Sequence, residues 1–152
     1  MELKKSIQID RSQDQVFELF VGNMMDWWPK EYSWSQHHLQ QMFIDPVTNG
    51  FCTEIGPHGF RCDWGRVLEV NTPSSIHFTW QISPQREPVP DADQASVVHI
   101  RFSSVDEHCL MDLEHANFEN HGKGYENYHK MMDSPEGWQY ILDCFKNYCE
   151  NG

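Results

Sequence analysis

The stretch Ser134-Pro135-Glu136-Gly137-Trp138-Gln139-Tyr140-Ile141-Leu142-Asp143-Cys144-Phe145-Lys146-Asn147-Tyr148 decides the fold. Ser134 is a residue type that caps helix starts, Pro135 suits the first helical position, and Glu136 complements the positive end of the helix dipole. Trp138, Ile141, Leu142, Phe145 and Tyr148 then recur at i, i+3, i+4, i+7 and i+10, a wide apolar stripe along one face. Such a face must be buried, so the chain needs a second, larger apolar surface to cover it.

That surface is legible upstream as alternation of period two. Trp64, Arg66, Leu68 and Val70 alternate with Gly65, Val67 and Glu69. After a turn at Asn71-Thr72-Pro73-Ser74, Ile76, Phe78, Trp80 and Ile82 alternate with His77, Thr79 and Gln81. Val98, Ile100 and Phe102 share one face of a further strand, and Met111, Leu113 and His115 share one face of the next. Runs of this kind joined by turns predict a largely antiparallel sheet. Ser83 to Ala95, with Pro84, Pro88 and Pro90, reads as a long surface loop inside one domain.

The N-terminal part completes the order. Leu3 to Ile9 alternates as a strand, and Ser12 stands three residues before Gln15, the spacing of a capping box. Val16, Phe17 and Phe20 make an apolar stripe that Gly22 can close, and a second short helix over Asn23 to Trp28 stops at Pro29. The expectation is an α+β domain spanning residues 1–152: a strand, two short helices, a meander of strands, and a long helix laid across the sheet.

In this order of elements, Asp26-Trp27-Trp28-Pro29, Cys62-Asp63-Trp64-Gly65-Arg66-Val67-Leu68-Glu69, Phe78-Thr79-Trp80-Gln81-Ile82, Leu113-Glu114-His115 and Ser134-Pro135-Glu136-Gly137-Trp138 resemble the START-like (SRPBCC) superfamily. Within it the chain resembles single-domain bacterial proteins named for the activator of the ninety-kilodalton heat-shock protein ATPase. The resemblance runs from Ile7 to Tyr148. It implies a helix-grip fold, a curved antiparallel sheet wrapping the C-terminal helix, with a cavity between them for an apolar small molecule.

Charge narrows the partners. With 23 acidic and 11 basic residues the net charge is −12, which argues against a nucleic acid or an anionic membrane surface as partner. There is no run of 18 apolar residues, and Met1-Glu2-Leu3-Lys4-Lys5 lacks an apolar signal core. The five cysteines, an odd number without a Cys-x-x-Cys pair, read as reduced thiols in a cytoplasmic protein.

The chemistry-bearing residues point to binding first. The expected lining is Trp28, Phe43, Trp64, Phe78, Trp80, Leu113, Trp138 and Leu142. Arg66 and His115, on otherwise apolar faces, are the expected polar anchors, Arg66 for a ligand carboxylate or phenol. Smaller residues at Trp64 or Trp80 are expected to weaken binding more than folding. Each of these residues also reads as core packing, with Arg66 paired to a carboxylate or facing solvent and His115 a satisfied core histidine. No metal, cofactor or catalytic residue is expected, because only His58-x-x-x-Cys62 approaches zinc-ligand spacing and no Gly-x-Ser-x-Gly or phosphate loop occurs.

Three functions are therefore in play. The leading one is a small hydrophobic-ligand-binding protein whose partner is an apolar or aromatic small molecule, with a homodimer allowed. The second is an enzyme of cyclase, dehydratase or hydrolase type in the same cavity, with His115 as acid or base. The third is a chaperone-associated interaction protein, suggested only by the family name. Gly122-Lys123-Gly124 reads as a flexible loop before the last helix, placed to gate a pocket mouth.

Overall fold

A computed structural model describes residues 1–151. Its seven strands are β1 (Leu3–Ile9), β2 (Gln41–Ile44), β3 (Phe51–Ile55), β4 (Arg61–Asn71), β5 (Ser75–Trp80), β6 (Ser96–Val105) and β7 (His108–Ala116). The helices are α1 (Gln13–Gly22), α2 (Met24–Trp27), α3 (Tyr125–Asp133) and α4 (Trp138–Asn151). The strands form one sheet in the order β1-β7-β6-β5-β4-β3-β2, every neighbour antiparallel. This is the helix-grip α+β arrangement, with α4 laid against the sheet. Among the described residues, no helix is long and apolar enough to cross a membrane.

The capping box at α1 is present: the Gln15 amide donates to Ser12 Oγ at 3.3 Å, and the Ser12 amide donates back to Gln15 Oε1 at 3.3 Å. Val16, Phe17 and Phe20 of α1 meet Trp138, Ile141, Leu142 and Phe145 of α4 in one buried cluster. Along α4 the fifth buried position is Cys149, while Tyr148 sits at the rim and accepts from Asn23 Nδ2 at 2.9 Å. On the sheet, Val98, Ile100 and Phe102 of β6 and Met111, Leu113 and His115 of β7 all face inward, as their alternation predicts.

Three local readings are corrected. Ser134 closes α3 instead of opening α4: its amide and its hydroxyl both donate to Met131 O, at 3.2 and 2.6 Å. The first helical bond of α4 is accepted by Gly137 O, from the Ile141 amide at 3.2 Å. The chain reverses so tightly there that a Cβ on residue 137 would lie 2.2 Å from Met132 O, so only glycine fits. Second, a helix that the sequence reading did not include, α3, stands between the Gly122-Lys123-Gly124 loop and α4, with Gly122 and Gly124 at φ +79° and +91°. Third, Arg66 and Leu68 leave the inner face of β4.

The reason is a pair of bulges. Against β3 the register passes from Gly65 opposite Cys52 to Asp63 opposite Thr53, so Trp64 is the extra residue. Against β5 it passes from Val67 opposite Phe78 to Glu69 opposite His77, so Leu68 is extra. Each bulge inverts the alternation beyond it. Trp64 and Val67 therefore face the core, while Arg66 is exposed and Leu68 is 41% exposed.

Candidate functional site

A cavity of about 320 Å³ lies where the end of β5 meets α3, the start of α4 and the segment after α2. Trp28, Tyr32 and Trp34 come from that segment, Trp80 and Ile82 from the end of β5, Tyr128, Met131 and Met132 from α3, Ile141 from α4, and Arg86 from the long loop. Two of the expected lining residues, Trp28 and Trp80, are here.

The others are elsewhere. Trp64, Phe78, Leu113, Trp138 and Leu142 are buried in the core away from the cavity, and Phe43 is half-buried on β2. Trp64 packs against Trp28, Phe78 and Trp80 at ring-centroid distances of 5.8, 6.1 and 5.6 Å, so it supports the cavity wall from behind. Arg66 lies outside, its guanidinium 4.9 Å from the Phe51 ring centre.

His115 is wholly buried and belongs to a chain of oriented hydrogen bonds. Trp138 Nε1, which can only donate, gives to His115 Nδ1 at 2.9 Å. His115 must then carry its proton on Nε2 and donate to Ser96 Oγ, 2.6 Å away. The Ser96 hydroxyl is left free to donate to His121 Nε2 at 2.7 Å, where the Ser96 amide also donates at 3.1 Å. Both histidines are neutral in this arrangement. Burial, followed by the His121 and His129 charges, holds the His115 pKa well below the ordinary histidine value. With both nitrogens engaged and no place on the cavity wall, His115 is a core histidine.

The cavity wall is held by groups the sequence did not single out. Tyr128 Oη accepts from Trp80 Nε1 and donates to Ile82 O, both at 2.7 Å, which locks the Trp80 indole against the end of its own strand. Glu54 is buried, and its carboxylate accepts from the Trp34 amide at 3.1 Å, the Ser35 amide at 2.8 Å and Ser35 Oγ at 2.7 Å. Those three donors satisfy a carboxylate that would otherwise be costly to bury, and they pin the segment carrying Trp34. Trp34 Nε1 in turn donates to Arg86 O at 2.7 Å and fastens the long loop to the rim.

The six indole N–H groups divide sharply. Trp27 donates to Phe20 O at 3.3 Å, Trp34 to Arg86 O, Trp64 to Met42 Sδ at 3.3 Å, Trp80 to Tyr128 and Trp138 to His115. Trp28 is only 6% exposed, and among the described residues its Nε1 has no partner. The orphan donor therefore belongs to a cavity-wall residue. Such a group is costly to leave unmade.

Other chemistries find less support in the geometry. Among the described residues, no three His, Cys, Asp or Glu side chains converge to hold a metal ion. Burial pushes the Cys62 and Cys109 thiols up to about 11 and Cys149 to about 12, which keeps them protonated and weakly nucleophilic.

Residues 10–150 match the family described as Activator of Hsp90 ATPase homolog 1-like protein. Among solved structures, the chain is 29% identical to an anthrahydroquino-gamma-pyrone synthase, Txn09, complexed with SUM, with a TM-score of 0.68 over 96% of this chain and 95% of that one. It is 18% identical to the self-sacrificing resistance protein CalC from Micromonospora echinospora (TM-score 0.66, covering 97% and 93%). It is 10% identical to the Aha1 dimer from Colwellia psychrerythraea (TM-score 0.64, covering 100% and 98%). A search of curated proteins found no match.

Proposed function

The chain belongs to the Activator of Hsp90 ATPase homolog 1-like protein family, and from that premise we propose that residues 1–152 act as one domain that binds an apolar or aromatic small molecule. The observation that carries this reading is a cavity of about 320 Å³ walled by the rings of Trp28, Trp34, Trp80, Tyr32 and Tyr128. Volume of this order stands at the lower end of small-molecule sites, roughly 300–1,000 Å³. Ligand-binding residues are Trp28, Trp80, Tyr32 and Tyr128, while Trp64 and Trp138 support them from the core.

Five unpaired thiols support a reducing, cytoplasmic setting. The likeness to a synthase supports a second reading, an enzyme that uses the same cavity. Its acid–base groups would be the wall phenols Tyr32 and Tyr128, since His115 is closed off.

The test has two arms. Mass spectrometry of an organic extract of the purified protein is expected to release a stoichiometric small molecule. Titration with 9-anthracenecarboxamide is expected to quench tryptophan fluorescence saturably, with weaker binding in Trp28→Phe. An empty extract together with no saturable quenching overturns the reading.

A further inference from the structure

We infer that the ligand is a compact aromatic acid whose anionic group is held by Arg86 at the rim of the cavity. This deepens the binding reading above and rests on it.

Arg86 does nothing for the fold through its side chain. Its hydrogen bonds are made by its backbone: the amide donates to Ser83 O at 2.9 Å, and the carbonyl accepts from Trp34 Nε1 at 2.7 Å. The guanidinium forms no ion pair among the described residues. The guanidinium lies over the Tyr32 ring, 5.7 Å from its centre. An arginine side chain without structural employment, on a cavity wall, is a recognition group in waiting.

The backbone at the rim agrees. Arg86 stands at φ 62° and Gln36, also on the wall, at φ 49°, the left-handed region that residues with a Cβ avoid. A glycine at 86 would meet the turn's demand without strain.

Two carboxylates also line the wall and keep their charge, but an oxygen of each is engaged by a protein hydroxyl, Glu31 by Tyr140 Oη at 2.7 Å and Glu136 by Ser134 Oγ at 3.3 Å, whereas Arg86 is the lining's one cation. The charge of Arg86 reaches Tyr32 and Tyr128, where it opposes the upward push of burial on both phenols, while at Tyr32 the Glu31 and Glu136 charges push upward. A chain of net charge −12 repels anions at long range, so any acid it takes must be recognised by a local cation. Around that point the wall offers ring faces: Trp28, Trp34, Trp80, Tyr32 and Tyr128. Flat apolar area plus one planar, forked cation specify an aromatic carboxylate or acidic phenol.

The test uses three probes of one shape and different charge: 9-anthracenecarboxylate, 9-anthracenecarboxamide and 9-(aminomethyl)anthracene, titrated at low salt. In the native chain the carboxylate is expected to bind about tenfold tighter than the amide, the worth of one charge-assisted hydrogen bond. Arg86→Gln and Arg86→Gly are each expected to abolish that preference, acid and amide then binding alike. Arg86→Gly is the folding control, expected to hold the thermal midpoint within about 2 °C. Equal binding of acid and amide, tighter binding of the ammonium, or an acid preference that survives Arg86→Gln overturns the anion site and leaves the cavity reading standing. Failure of all three probes to bind overturns the anion site, and together with an empty organic extract it overturns the binding reading as well.

Discussion

Two indole N–H groups, one on Trp138 and one on Trp28, separate the two regions of this aromatic core. Both side chains are buried, and both belong to the same apolar cluster. Trp138 donates to His115 and begins a hydrogen-bond chain that runs through Ser96 to His121, with every role settled by the indole's inability to accept. Trp28 donates to nothing among the described residues and lines a cavity. In a folded protein a satisfied buried polar group marks structure, and an unsatisfied one beside open volume marks a place for a ligand.

Mutation should move the two regions in different ways. The largest effect is expected at the bulge: Trp64→Ala should cost about 3–5 kcal/mol by opening a hole behind the wall. Denaturant unfolding measures the loss, and carboxamide binding per folded molecule should persist. If affinity falls and stability does not, Trp64 belongs to the site and the division fails.

Next comes Trp138→Phe, which should cost about 1–3 kcal/mol because it leaves His115 Nδ1 buried without its donor. Equilibrium unfolding at neutral pH measures it. A neutral result would mean that the buried chain contributes nothing net.

The pH dependence of folding sharpens the same point. The folded pKa of His115 is depressed below its unfolded value, and those of His77, His99 and His121 shift in the same direction, burial being the first cause in each. The unfolded chain therefore binds more protons. The stabilisation is complete above the ordinary histidine pKa and is lost as pH falls below it, by up to about 1.4 kcal/mol per pH unit for the fully buried His115 and by less for the other three, which solvent screens. His115→Gln, which can still accept from Trp138 and donate to Ser96, is expected to give a shallower acid slope in urea midpoints measured from pH 7 downward. An unchanged slope would remove His115 from the linkage.

The smallest change in stability is expected at Trp28→Phe, between zero and about 1 kcal/mol of stabilisation, since it removes a donor that had no partner. The same variant should lose affinity for the carboxamide, read from the fluorescence titration. Destabilisation comparable to Trp138→Phe would show that the Trp28 N–H has a structural role, and the comparison would collapse.

Most of the fold could be read along the chain because it rests on periods. The stripe of Trp138, Ile141, Leu142 and Phe145 and the alternations of β6 and β7 need only one element each to be legible. The short strands β2 and β3 carry too few residues to announce a period, and α3 was hidden behind two glycines. The site was less legible. Trp28 and Trp80 stand on the cavity wall and Trp64, Phe78, Leu113, Trp138 and Leu142 in the core, a division that composition cannot show because a core and a pocket use the same side chains. Tyr128, Glu54 and Arg86 carried no local signal, since their partners stand tens of residues away.

The sequence by itself determined the order of elements, the inward faces of β6, β7 and α4, and the acidic charge that argues against a nucleic-acid partner. Tertiary structure alone decided which face Arg66 takes, which of six indoles lacks a partner, and which arginine meets the cavity. The physical reason is range. Periodicity and capping act within a few residues, whereas a bulge is set by a neighbouring strand and a cavity by what several distant elements leave unfilled.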